Sequence, residues 1–312
     1  MSVSLRIREA NGVVAVPIAG VNGGGLVIGS SIDEETVFKN RRMDLFDPAD
    51  CGEPEAQIDE TAIFAGYLLP HYGHFLIESL GRIWFAKQRP DLPIVWITRR
   101  SGYSPMQREI LDILGVRNRP FFVSAPTRLR HLLMPDAGFS KRQPCHPAHA
   151  ATLGAWPASP PAAGKKLWLS RTRLDHHHAG FTNEPDVEAI LQRRGWQIFH
   201  PQEHSVSYQL RMLGDAERLA GIEGSAFHTL LLTDRPRARL TIVARRKRLH
   251  ENFEFIGKAK NLSQRAVRAP FDVIGDKDFG GRKRRATWRS PQQVADAIDA
   301  PLARQDFVNL SL

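Results

Sequence analysis

Hydrophobic positions along this chain alternate between two patterns. Leu92 to Thr98 (LPIVWIT) is a short β-branched apolar run bounded by Pro90 and by Arg99-Arg100, as in a buried strand. Ser104 to Leu114 opens on Ser-Pro, keeps a helical period and stops at Gly115, which predicts a helix. Upstream, Gly12 to Gly29 lacks a helical period and reads as short strands around a turn at Asn22 to Gly25. Gly73 to Gln88 carries Phe75, Leu76, Leu80, Ile83 and Trp84 at helical spacing.

The alternation becomes regular beyond Trp156 to Gly164 (WPASPPAAG), a stretch with no charge and no period that reads as an extended connector. Strands are expected at Lys165 to Leu169, Trp196 to Phe199, Arg218 to Ile222 and Leu240 to Ala244. Helices are expected between them at Glu184 to Arg194, Ser205 to Leu213 and Ser225 to Leu232, with a last capped helix at Ser290 to Ala300. Strands spaced by helices of this length imply parallel α/β units. The expected organisation is an N-terminal α/β domain over 1–155, a linker over 156–164, a C-terminal α/β domain over 165–290, and a helix and tail over 291–312. Such domains place ligands at the carboxyl ends of their strands.

Composition fits an ordinary globular chain of 312 residues, 42% of them apolar and 24% charged. Charge changes the picture more. The net charge is +10, and the segment Thr233 to Ser290 alone holds 17 Lys/Arg against 6 Asp/Glu, so one region carries the whole excess. It calls for an anionic partner: nucleic acid, acidic lipid or a phosphorylated small molecule. The runs Arg245 to Arg248 and Arg282 to Arg285 have few interleaved aromatics for base stacking, so they read as solvated faces and nucleic acid is disfavoured. Cys51 and Cys145 offer no cysteine-rich metal or disulfide framework, Met1 to Glu9 lacks a signal-peptide core, and no apolar run approaches a bilayer span. A cytoplasmic protein is expected, with an anionic membrane face as one partner for the basic region.

Three constellations carry candidate chemistry. A helix over HYGHFLIESLGR would set His74, Glu78 and Arg82 on one face, where a carboxylate that orients an imidazole makes a general base. A solvated face with an ordinary Glu to Arg pair is the plain alternative. Ser170 and Arg171 close a strand, where a guanidinium fork can clamp phosphate. Asn183, with Thr182 beside it, either joins them or simply caps the next helix. Glu223, Gly224, Ser225 and His228 follow the next strand, and free amides at that helix start suit a diphosphate, although a plain strand-to-helix turn fits the residues too. His176 to His178 cannot all face one metal and are expected in a mobile loop beside the phosphate site, so no metal is assigned.

In their order these segments resemble glycosyltransferase family 61. The likeness rests on HYGHFLIESLGR, WLSRTR (Trp168 to Arg173), the Asn183-Glu184 pair and the block Ser205 to Leu232, across about Phe64 to Ala244. The resemblance implies a GT-B architecture of two Rossmann-like domains facing a cleft. It also implies a nucleotide-diphosphate sugar donor, UDP-sugar favoured, held by the second domain, and inverting transfer without metal or other cofactor. The expected acceptor is a saccharide or lipid-linked saccharide of surface polysaccharide. By motif, Ser170 and Arg171 match the family's Ser-Arg, Gly224, Ser225 and His228 its glycine loop, and His74 and Glu78 its first-domain His and acid. His71 and Thr229 depart from asparagines common in the family. A pyruvyl transferase on the same architecture, or a basic nucleic-acid-binding protein, are the competing readings.

Overall fold

A computed structural model describes residues 4–18, 23–38, 46–140, 143–174, 180–246, 249–274, 285–301 and 308–309. The chain divides into two compact units, Met1–Ala155 and Trp156–Leu312.

The first unit holds strands β1 (Ile7–Val16), β2 (Gly25–Ile28), β3 (Ser31–Ile32), β4 (Ala56–Tyr67), β5 (Ile94–Ile97), β6 (Pro120–Val123) and β7 (Thr127–Pro135). Its helices are α1 (Tyr72–Ile77), α2 (Ile83–Ala86), α3 (Pro105–Leu114) and α4 (Pro147–Leu153). The sheet order is β3-β2-β1-β7-β4-β5-β6, with β7, β4, β5 and β6 mutually parallel and β1 antiparallel to its neighbours. Ser104 and Gln107 form a reciprocal capping box on α3, and Gly115 ends that helix in the left-handed conformation, as the Ser-Pro start and the glycine stop predicted. The Asn22 end of the expected glycine turn lies outside the described residues.

The single helix expected over Gly73 to Gln88 is broken. A 3₁₀ turn, Ser79–Arg82, separates α1 from α2. The cause is a close approach: Gly81 O accepts from Gly138 N–H at 2.7 Å, and a Cβ on Gly81 would sit 2.7 Å from Phe139 O. The chain must leave the α ladder there to fit.

The second unit holds β8 (Lys166–Leu169), β9 (Gly180–Phe181), β10 (Trp196–Phe199), β11 (Arg218–Ile222), β12 (Arg239–Val243), β13 (Gln264–Arg268), β14 (Phe271–Ile274), β15 (Arg285–Trp288) and β16 (Val308–Asn309). Helices α5 (Glu184–Arg193), α6 (Val206–Gly214), α7 (Glu251–Ala259) and α8 (Pro291–Asp299) connect them. Six strands make a fully parallel sheet in the order β10-β8-β11-β12-β13-β16. Alternate residues of each strand face opposite layers. Leu167, Leu169, Leu219, Leu240 and Ile242 pack with Leu213, Phe227 and Phe253, while Trp168, Ala220, Ile222 and Val243 pack with Val187, Leu191, Val294 and Ile298. Burying both faces demands continuous apolar strands, which is why these were the easiest to read. The C-terminal helix α8 therefore belongs to this unit's core.

Strand order reverses between β8 and β11, since β10 lies on one side of β8 and the later strands of this sheet, β11, β12, β13 and β16, lie on the other. In doubly wound sheets, ligands sit outside the carboxyl ends at such a switch point. The proline stretch is tied to the same unit: Trp156 N–H donates to Leu232 O (2.8 Å), Asp234 N–H to Trp156 O (2.8 Å), and Gly164 N–H to Glu217 Oε2 (2.7 Å).

Candidate functional site

At the switch point, β8 delivers Ser170 and Arg171. Trp168, with no exposed surface, anchors the strand, and Ser170 N–H donates to Phe199 O at 2.8 Å, extending the β8–β10 ladder by one residue. The Ser170 hydroxyl pairs with Thr172 Oγ1 at 2.8 Å. Glu184, the first residue of α5 and 1% exposed, accepts from Arg171 N–H (2.9 Å) and from the Trp168 indole (3.3 Å). Burial pushes the Glu184 carboxyl up to about 7, against the pull of the Arg171 amide bond. Glu184 thus fixes the backbone from which the Arg171 side chain springs.

That guanidinium folds across the next strand's end. A Cβ on Gly224 would meet Arg171 Nη1 at 2.5 Å, so the absence of a side chain at 224 makes room for it. Gly224 itself is extended, at φ −171°, and needs glycine for space rather than conformation. Burial first, then the charge of Arg245, pull the Arg171 guanidinium down to about 10. Glu184 and Glu223 oppose that shift in part.

Ser225 to Leu232 forms a 3₁₀ segment instead of the expected α-helix. Six consecutive residues, Phe227 to Leu232, are buried there, which suits the slimmer helix. Ser225 stands at its start, half-buried, where the first amides have no acceptor within the helix. His228 points into the wall, 8% exposed, with its ring 5.2 Å from that of Phe253. Glu223 Oε2 accepts from Arg245 N–H (3.1 Å) and Oε1 from His250 N–H (3.3 Å), so its carboxylate shapes the loop after β12.

Asn183 occupies the helix-cap position but does not cap α5. Its amide donates to Trp288 O (2.9 Å) and accepts from Trp288 N–H (3.0 Å), tying α5 to β15. Arg171, Gly224 and Ser225 are therefore brought together, with Ser170 below them, whereas Asn183, Glu223 and His228 support the surrounding wall. Arg245 was legible only as part of a basic run, and Glu184 only as half of a helix-start pair. His176 to His178 lie outside the described residues, as do Lys247, Arg248 and Arg282 to Arg284 of the basic runs.

In the first unit, Leu68 N–H donates to Ile97 O (3.0 Å), Leu69 N–H to Ser79 Oγ (3.0 Å), and the Gln107 amide to Leu69 O (3.0 Å). These bonds set α1 at the carboxyl ends of β4 and β5. His74 Nδ1–H donates to Glu78 Oε2, which turns Nε2 outward, and the His74 side chain is 44% exposed. His71 lies edge-on to it, ring centroids 5.1 Å apart. Arg82 does not join them: beyond the helix break its Nε–H donates to Pro135 O (2.9 Å), and its guanidinium lies 5.0 Å from the Phe64 ring centroid. Among the described residues, no group of three or more His, Cys, Asp or Glu is arranged to hold a metal ion. No helix among them is long and apolar enough to cross a membrane.

The family model for Glycosyltransferase 61 matches residues 72–241, more than half of the chain and the segment that holds both clusters. The chain belongs to glycosyltransferase family 61. It is therefore a glycosyltransferase, which implies a nucleotide-sugar donor and a saccharide acceptor. The family match ends four residues before Arg245. No curated protein matches the chain.

Proposed function

We propose that this glycosyltransferase is an inverting, metal-independent enzyme of GT-B architecture. It moves a sugar from a UDP-sugar to a saccharide or lipid-linked saccharide acceptor of surface polysaccharide, in the cytoplasm. The observation that carries the reading is the Arg171 guanidinium seated on Gly224 at the switch point of a doubly wound sheet.

His74 Nε2 takes the proton of the acceptor hydroxyl, while Glu78 holds the tautomer and offsets the growing imidazolium charge. The hydroxyl oxygen attacks the anomeric carbon from the face opposite the diphosphate. A new glycosidic bond forms as the bond from that carbon to the diphosphate oxygen breaks, so configuration inverts. Arg171 and the amides at Ser225 take up the charge of the departing diphosphate, the work a divalent cation does in other transferases. Ser170, Asn183, Glu223 and His228 hold these groups in place, and no cofactor beyond the donor is needed.

His74→Ala is expected to lower kcat by about 10² to 10⁴ with donor affinity unchanged. Near-normal turnover would remove His74 from the role and leave Glu78 as the base. Thermal-shift screening tests the donor class: stabilisation by UDP supports the reading, and stabilisation by oligonucleotides alone contradicts it.

The same proposal assigns the basic region a docking role on anionic lipid, beside a lipid-linked acceptor. On β14, Val273 and Ile274 are 48% and 46% exposed, an apolar edge within the basic stretch. Co-sedimentation with phosphatidylglycerol vesicles should fall with salt, and absence of salt-sensitive binding would discard the docking role.

A further inference from the structure

We infer that the first unit holds a separate saccharide site, a groove between α3 and β6 that takes a sugar unit of the acceptor glycan away from its reacting end. The inference rests on the chain being a glycosyltransferase with a saccharide acceptor, and it adds a place where that acceptor is held.

β6 is the edge strand of the first sheet. Between it and α3 lies a cavity of about 250 Å³, whose lining includes Tyr103, Arg108, Asp112, Arg117, Asn118 and Phe122. None of the lining residues belongs to α1, so the cavity is distinct from the His74 cluster. Gln107, in the first turn of α3, donates to Leu69 O (3.0 Å) just ahead of α1. The Tyr103 end of the groove therefore opens toward the end of the sheet that carries His74, and a glycan chain can run from one to the other.

The lining includes one buried polar side chain with an unmatched atom. Asn118 is 7% exposed, and its amide nitrogen donates to Arg89 O (2.7 Å) and Leu92 O (2.8 Å). Two carbonyl acceptors fix which end of that amide is the nitrogen. Oδ1 is buried and has no hydrogen-bond partner among the described residues. An acceptor left in that state calls for a donor from outside the protein.

Tyr103 and Phe122 meet edge to face, ring centroids 5.0 Å apart, and make an apolar corner. The Tyr103 hydroxyl accepts from the Trp96 indole at 2.7 Å, which holds the ring and leaves its own proton to donate. Asp112 and Arg117 pair at 3.2 Å with side chains 63% and 66% exposed, so the pair adds little to stability and its spare donors and lone pairs are open to a ligand.

This lining mixes donors, acceptors and ring surface. A phosphate would meet the Asp112 carboxylate, and a purely apolar ligand would leave Asn118 Oδ1 unmatched. A pyranose satisfies all three kinds of group, because each hydroxyl donates and accepts while the C–H face of the ring packs on an aromatic side chain.

Calorimetric titration of the full-length protein with xylohexaose, mannohexaose, chitohexaose and maltohexaose tests this. At least one is expected to bind. Phe122→Leu, and separately the exposed double change Asp112→Ala with Arg117→Ala, should each weaken it by about tenfold or more and leave UDP affinity unchanged. Should Phe122→Leu melt early, the surface double variant carries the test alone. If no hexasaccharide binds, or if binding stays at wild-type strength in the folded groove variants, the inference is wrong, and retained UDP binding leaves the glycosyltransferase reading standing. Hexasaccharide binding that disappears in His74→Ala but not in the groove variants would also overturn it. If neither UDP, GDP, ADP or TDP nor any hexasaccharide binds, both fall together.

Discussion

The parallel sheet of the second unit carries partly buried arginines at both ends, and the two ends differ in their surroundings. At the amino ends, Arg265 donates through Nε to Thr241 Oγ1 (3.1 Å) and through its terminal nitrogens to the carbonyls of Pro301, Ala297, Ile298 and Ala300 (2.7 to 3.2 Å). Arg218 joins it on Ile298 O (2.7 Å) and Asp299 Oδ1 (3.3 Å). Apart from the Thr241 hydroxyl and the Asp299 carboxylate, these acceptors are main-chain carbonyls at and just beyond the C-terminus of α8, where the helix dipole favours cations. At the carboxyl ends, Arg171 lies against bare glycine and Arg245 keeps a buried Nε without an acceptor among the described residues. Burial lowers the pKa of all four guanidiniums. Depressed pKa and burial do not tell a structural arginine from a ligand-binding one. Their place on the sheet does, because doubly wound sheets take ligands at the carboxyl ends of their strands.

That contrast breaks if stability and activity do not separate between the two ends. Arg265→Leu should have the largest effect, a loss of about 3 to 5 kcal/mol of stability, because several buried carbonyls lose their donor at once. Urea unfolding measures it, and the activity of the remaining folded protein should be unchanged. Arg171→Ala should do the reverse: about a 100-fold fall in kcat/KM for the donor, with a smaller loss of stability than Arg265→Leu. A marked drop in stability for that variant would place Arg171 with the structural pair.

Glu184 sharpens the comparison through pH. Its carboxyl is raised from an ordinary 4.5 to about 7 by burial, so the folded chain binds that proton more tightly than the unfolded chain. The stabilisation is complete below about pH 4.5 and disappears as pH rises through about 7, a change of up to about 3 kcal/mol. Glu184→Gln retains an acceptor for the Arg171 amide and should flatten the melting temperature between pH 5 and 8. An unchanged slope would show that the carboxyl does not titrate in that window. The smallest effect is expected for Gly224→Ala. Its extended backbone tolerates any residue, but the new methyl must displace Arg171 Nη1, which should weaken UDP binding by about tenfold with little change in melting.

Much of the second unit was open to reading because its strands are buried on both faces and therefore apolar throughout, as in Leu167 to Leu169 and Leu240 to Val243. The longest strand of the first unit was not. β4 starts on exposed Ala56 and Gln57 and suffers register shifts at Ile58/Thr61 and Phe64/Gly66, so no single period runs through it. The helix break at Gly81 was equally hidden, because its cause is a carbonyl on a distant segment, Phe139. With it went the expected alignment of Arg82 with His74 and Glu78. In the candidate site, Ser170, Arg171, Gly224 and Ser225 could be found because they follow strand ends. Arg245 could not, since its three basic neighbours make it look like one more surface charge.

The hydrogen bonds that lash Trp156 to Leu232 and Asp234 set where the chain can be cut. Anyone wishing to excise the second unit should begin at or before Ala155, even though the run of prolines invites a start at Lys165. A fragment opened at Lys165 would forfeit the edge pairing beside Thr233, where the 3₁₀ segment that begins at Ser225 comes to rest.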